Sequence, residues 1–168
     1  KNGEFTINIA LLDKSKPIMG LVYIPTSGTL YFGFDNKSYK LVKEDSFGDF
    51  PNLIKNIDYY LSNLKPIKVN YVSKTPIKVI GSKNHSNEKT RMIISEIKNY
   101  FGSLELQSSG SSIKICLVAE GKADIYPRLG ITCEWDVAAA HAILKFAGGN
   151  LFIYNEELPI SCYFNSSE

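Results

Sequence analysis

Hydrophobic and polar positions change rhythm along the chain. From Phe5 to Leu11 they alternate strictly, and that period of two predicts a buried strand with Phe5, Ile7, Ile9 and Leu11 on one face. Asp13-Lys14-Ser15-Lys16-Pro17 supplies turn chemistry. Residues 18–24 form a second apolar run stopped by Pro25, and Thr26-Ser27-Gly28 turns the chain into a third over 29–34. Asp35-Asn36-Lys37 turns it again, so the opening forty or so residues predict an antiparallel meander.

Over 46–65 the period lengthens. Leu53, Ile54, Ile57, Leu61 and Leu64 recur at helical spacing behind Pro51, and Pro66 ends the run. Residues 67–72 read as extended, and Lys74-Thr75-Pro76 marks a boundary, which predicts one unit over 1–73 and a second over 74–168. The second unit alternates. Short strands are expected at 77–80, 104–107, 123–126 and 151–154. A helix capped by Ser86 stacks Ile93, Ile97 and Phe101 before Gly102; another carries Ile113, Cys116 and Leu117; an alanine-rich third spans 136–147 before Gly148-Gly149. Such alternation predicts a layered α/β unit, α+β overall when the meander is included.

Composition narrows the class without choosing a function. A hydrophobic fraction of 44% and a charged fraction of 21% in 168 residues exclude a disordered or collagen-like chain. No apolar run approaches the roughly 18 residues of a membrane span, so no stable membrane insertion is expected. Nineteen Lys and Arg oppose 17 Asp and Glu, and only Arg91 and Arg128 are arginines. Scattered lysines without an arginine-aromatic stripe argue against a nucleic-acid binder. Cys116, Cys133 and Cys162 share no metal-ligand spacing and fit a reducing, cytoplasmic compartment.

Three places carry candidate chemistry. Ser109-Gly110-Ser111-Ser112 lies between a strand and a helix, where free N–H groups and hydroxyls make either an ordinary cap or an anion site, with Lys114 adding charge. Asp136, at a helix start after Trp135, is either a cap or a metal ligand. His85 follows Gly81-Ser82-Lys83-Asn84 at a strand-to-helix junction, where α/β folds place ligands. His141, inside the alanine helix, reads as structural or surface. No Ser-His-Asp set, P-loop or dinucleotide fingerprint occurs.

These pieces also occur in longer blocks. The run G-S-S-I-K-I-C-L-V-A-E-G-K-A-D-I-Y-P-R from Gly110 to Arg128, and W-D-V-A-A from Trp135 followed by A-G-G from Ala147, resemble signature blocks of the inositol monophosphatase superfamily. The opening N-G-E-F-T-I-N-I-A-L and S-K-N-H at Ser82 resemble its CysQ-type 3′(2′),5′-bisphosphate nucleotidases. The resemblance spans nearly the whole chain except about 41–72. It implies the layered sugar-phosphatase fold and Mg²⁺-dependent hydrolysis of a phosphomonoester. The implied substrate is adenosine 3′,5′-bisphosphate, a by-product of sulfate activation and transfer, cleaved to AMP and phosphate. It further implies that Asp136 is a metal ligand and that His85, Ser111, Lys114 and Arg128 bind the nucleotide's second phosphate and sugar. Inositol monophosphate hydrolysis and a non-catalytic family member are the rival readings.

In that family the paired glutamates and a D-P-[LI]-D-G-T segment precede the G-E-F-T strand and supply most metal ligands. The chain begins with Lys1, after the point where that segment ends. The expectation is a C-terminal two-thirds that is catalytically inactive alone, contains no catalytic residue of the family segment, and self-associates through an exposed sheet.

Overall fold

The computed structural model describes residues 4–42, 64–71, 75–82 and 88–158. The helix expected over 46–65 therefore falls almost wholly outside the described residues, as do Ser86, His85, Cys162 and, at the expected boundary, Lys74.

Four strands form the meander in chain order: β1 (Ile7–Asp13), β2 (Lys16–Ile24), β3 (Thr29–Phe34) and β4 (Lys37–Leu41). The turns behave as their residues dictate. Lys14 and Ser15 join β1 to β2, and Asp35 and Asn36 join β3 to β4, each pair at positive φ, the primed-turn conformation that matches strand twist. Strand β4 lies in a stretch without strict alternation and was not separable from the turn before it by pattern.

Register decides which face of this sheet is covered here, and the other face, apolar, is the exposed one the sequence leads one to expect. Antiparallel register sets Ile7 beside Tyr23, Ile9 beside Leu21 and Leu11 beside Met19, with Met19 beside Phe34, making one apolar face. Phe5, Ile7, Ile9 and Leu11 on that face are each about half exposed. The opposite face carries Ala10, Gly20, Val22, Tyr31 and Gly33, and it is the covered one. Its cover is α3 (Glu134–Phe146), with α2 (Ile113–Ala119) alongside. Small residues meet small residues there. A Cβ on Gly33 would lie 2.8 Å from the Ile143 Cα, and one on Gly20 would overlap the Ala139 carbonyl. The fully buried Ala140 and Ala142 let the helix approach that closely. Small residues on both sides let the backbones of α3 and the sheet approach closely.

The other sheet is a βαβ unit. Strand β5 (Ile77–Ser82) pairs in parallel with β6 (Leu104–Ser109), and α1 (Glu88–Phe101) connects them. The expected helix stripe is borne out: Ile93 and Ile97 are buried against Ile77 and Val79, and Phe101 packs at their edge. Each such aliphatic side chain contributes roughly 1.5–3 kcal/mol by leaving water. Gly102, at φ +89°, stops α1 by donating its N–H to the Lys98 carbonyl at 2.8 Å. The strand expected at 123–126 is reduced to one parallel bridge between Ile125 and Val79. Residues 151–154 form no strand; Leu151, Phe152 and Ile153 are exposed, so that apolar run was misread as paired.

Two motif residues turn out to be fasteners. Asp124 accepts the Lys78 N–H at 2.8 Å and an Asn70 amide proton at 3.2 Å, tying 121–126 to β5. Glu120, with a side chain 6% exposed, accepts from the Tyr31 hydroxyl at 2.8 Å and Lys40 at 2.7 Å, tying α2 to the meander.

Candidate functional site

The site lies where β1, the loop before α2 and the start of α3 meet. Strand alternation places Glu4, Thr6 and Asn8 opposite the apolar set, and these three meet three consecutive loop residues. Glu4 lies against Gly110, where a Cβ would be 2.9 Å from the Glu4 Cβ. The Thr6 and Ser111 hydroxyls are hydrogen-bonded at 2.6 Å, and Asn8 Nδ2 donates to Ser112 Oγ at 3.0 Å. The period of two in E-F-T-I-N is visible in the sequence, but nothing local shows what its polar half meets.

Ser112 occupies the position before α2, yet its hydroxyl does not cap that helix. It donates to the Asp136 carbonyl at 2.9 Å and so joins the two helix starts. Asn8 adds a long donation, 3.5 Å, to the Trp135 carbonyl. Asn8 Oδ1 stays buried without a partner among the described residues. Ser111 holds φ +50°, a left-handed conformation that a non-glycine residue rarely adopts and that neighbouring contacts must enforce.

Lys114 is the central cation. It is 4% exposed, donates to the Ser111 carbonyl at 2.8 Å, and sits 5.2 Å from the Tyr126 ring centre. Burial, and then the Arg128 charge, pull its ammonium below the usual lysine range, while Glu4 pulls in the other direction. Arg128 is exposed and held in a bend: Nε donates to Thr132 Oγ1 at 3.0 Å and Nη2 to the Ile131 carbonyl at 3.2 Å. Burial raises Tyr126, and the charge of Arg128 and a hydrogen bond to it draw it back down. Two like charges and the Ser111 loop thus converge, an arrangement suited to an oxyanion carrying more than one negative charge.

Asp136 is exposed in the first turn of α3, and its Oδ2 accepts the Cys133 N–H at 3.2 Å. The cap reading accordingly has a geometric basis. Among the described residues no three His, Cys, Asp or Glu side chains gather as a metal-holding group. One carboxylate with one oxygen already engaged does not fit a divalent cation by itself. Of the five residues singled out in the sequence, Ser111, Lys114 and Arg128 are brought together and Asp136 is linked to them through Ser112. His85 lies outside the described residues.

Comparison with known proteins gives this arrangement a context. Residues 1–166 match the inositol monophosphatase family. The CysQ 3′(2′),5′-bisphosphate nucleotidase of Buchnera aphidicola is 39% identical over 151 residues, 90% of this chain and 48% of the relative. That of Salmonella typhimurium is 36% identical over 151 residues, 90% of this chain and 52% of its own. The crystal structure of CysQ from Bacteroides thetaiotaomicron superposes with a TM-score of 0.77 at 40% identity, covering 88% of this chain and 53% of that one. The chain spans about half the length of the curated relatives it matches. With the family's blocks in place on a mixed α/β fold shared with that structure, the chain belongs to the inositol monophosphatase family.

Proposed function

We propose that the protein is a phosphomonoester hydrolase acting on a 3′(2′),5′-bisphosphate nucleotide, in the first place adenosine 3′,5′-bisphosphate, to give AMP and phosphate. The observation that carries this reading is the pairing of a nearly buried Lys114 with Arg128 beside Ser111. A monophosphate needs no second cation, whereas a ligand with two phosphates repays the cost of holding two like charges together. The CysQ relatives support the same substrate class. In this reading Lys114 and Arg128 bind and orient the phosphate that is not cleaved, the Ser111 loop fixes its position, and His85 joins them. Mg²⁺, when bound, would neutralise the cleaved phosphate and activate a water. Asp136 would be a ligand to it, and with no metal-holding group of three among the described residues Asp136 by itself is too few to hold it.

Two tests follow. With Mg²⁺ present, the full-length protein is expected to turn over adenosine 3′,5′-bisphosphate in clear preference to inositol monophosphate, and these 168 residues alone to turn over neither. Preference for inositol monophosphate would replace the substrate; no turnover of either by the full-length protein would favour a non-catalytic family member. The second test concerns association. Phe5, Ile7, Ile9, Leu11, Met19 and Phe34 expose a continuous apolar face next to the edge strand β1. Light scattering of the purified 168-residue chain should report dimers or larger species, and a clean monomer would count against self-association. Cys116 and Cys133 are unpaired thiols, in keeping with a cytoplasmic setting, and no helix among the described residues is long and apolar enough to cross a membrane.

A further inference from the structure

A second concentration of positive charge lies at the other end of α3. A cavity of about 280 Å³ opens between the β1–β2 turn and the last turn of the helix, lined by Ser15, Lys16, His141, Lys145 and Asn150 over a floor that includes Pro17. Lys145 is nine residues beyond Asp136, about 13 Å along the axis at 1.5 Å per residue, so this cavity is separate from the phosphate site described above. Among the described residues neither Lys16 nor Lys145 lies within ion-pair distance of a carboxylate. Asp13 and Lys14 belong to the same hairpin but line no part of the cavity.

Two carbonyl acceptors at the helix end are already engaged. Gly148, at φ +90°, donates to the Lys145 carbonyl at 3.1 Å, and Gly149 donates to the Leu144 carbonyl at 2.9 Å, closing the helix with a Schellman turn. The partial negative charge of this helix end opposes an anion, but it is about half an elementary charge against two full ammonium charges. Donors predominate over free acceptors, and the cavity is large enough for a tetrahedral oxyanion.

We propose that Lys16, His141 and Lys145 form an anion site for a small tetrahedral oxyanion, a sulfate ion or the phosphate group of a small ester. The site is independent of the proposed activity and needs none of its residues. His141 provides the readout. It is half-buried, and burial first, then the Lys145 charge, hold its imidazole below the usual histidine range. An anion between the two lysines reverses the second of these influences and favours the protonated ring.

The experiment follows the histidine resonances of the ¹⁵N-labelled chain through a pH titration in sodium sulfate and in sodium chloride at equal ionic strength. There are two histidines, so a His141→Gln variant assigns the signal. In sulfate the His141 midpoint is expected about half a unit higher, a ~3-fold preference of the anion for the protonated ring. The Lys16→Ala/Lys145→Ala variant, altered only at exposed side chains, should lose the difference. Equal midpoints in the two salts, or an unchanged difference in the double variant, would overturn the site. Glycerol phosphate in place of sulfate separates the sources: an equal shift assigns a free inorganic ion, a larger one a phosphate carried on an organic group.

Discussion

Replacing Glu120 by Ala should lower the stability of the chain by about 4 kcal/mol, the scale for removing one partner of a buried ion pair. The carboxylate is nearly inaccessible and both oxygens are used, one by the Tyr31 hydroxyl and the other by Lys40. Tyr31 is itself 2% exposed, and burial followed by the Glu120 charge keeps its phenol far above the ordinary value, so it stays protonated and donates to Glu120. Without Glu120, a buried hydroxyl and a largely covered ammonium lose their acceptor together. Lys122, 3.2 Å from the same carboxylate, is 59% exposed and contributes little. Urea denaturation of the two proteins measures the difference. Glu120→Gln keeps an acceptor for Tyr31 and should lose roughly half as much, since only the charge is missing. A loss under about 1 kcal/mol for Glu120→Ala would mean that water screens the network as it does a surface pair.

Lys114→Met should separate stability from function. In the full-length protein, kcat/KM for the bisphosphate is expected to fall about 100-fold, ~2.7 kcal/mol, because the substrate's second phosphate loses its buried cation. Hydrolysis of inositol monophosphate should change little. The 168-residue chain itself should be as stable as the parent or about 1 kcal/mol more so, since a desolvated ammonium beside Arg128 is replaced by an apolar side chain of similar length. The pH dependence gives an independent check. The folded-state value of Lys114 lies below the ordinary 10.5, so in the window between them the unfolded chain binds more protons and stability rises with pH. That rise should be absent in the variant. A variant that loses both substrates equally would assign Lys114 to the fold or to the cleaved phosphate.

The sequence carried β1 to β3, β5, β6, the turns and the α1 stripe because these rest on local chemistry: alternation, Asp-Asn and Gly at turns, and Ile at helical spacing. It did not show which side of the meander is covered. Helix α3 settles on Ala10, Gly20 and Gly33, where backbones can approach. That choice depends on a surface 120 residues away, which no local window contains. For the same reason Ser111, Lys114 and Arg128 were legible as a motif, while Thr6 and Asn8 were not. The dual use of Ser112, in sequence a helix cap and in space a donor to α3, is likewise a tertiary fact.

The pairing of Thr6 with Ser111 and Asn8 with Ser112 spans 105 and 104 positions of chain. As the polypeptide leaves the ribosome, β1 emerges about a hundred residues before the loop that its polar face meets. Contacts this distant close late, because the intervening loop entropy is lost before they form. The loop at 109–112 is therefore among the last features to mature, and a nascent chain carries a complete meander for a time before that loop is held.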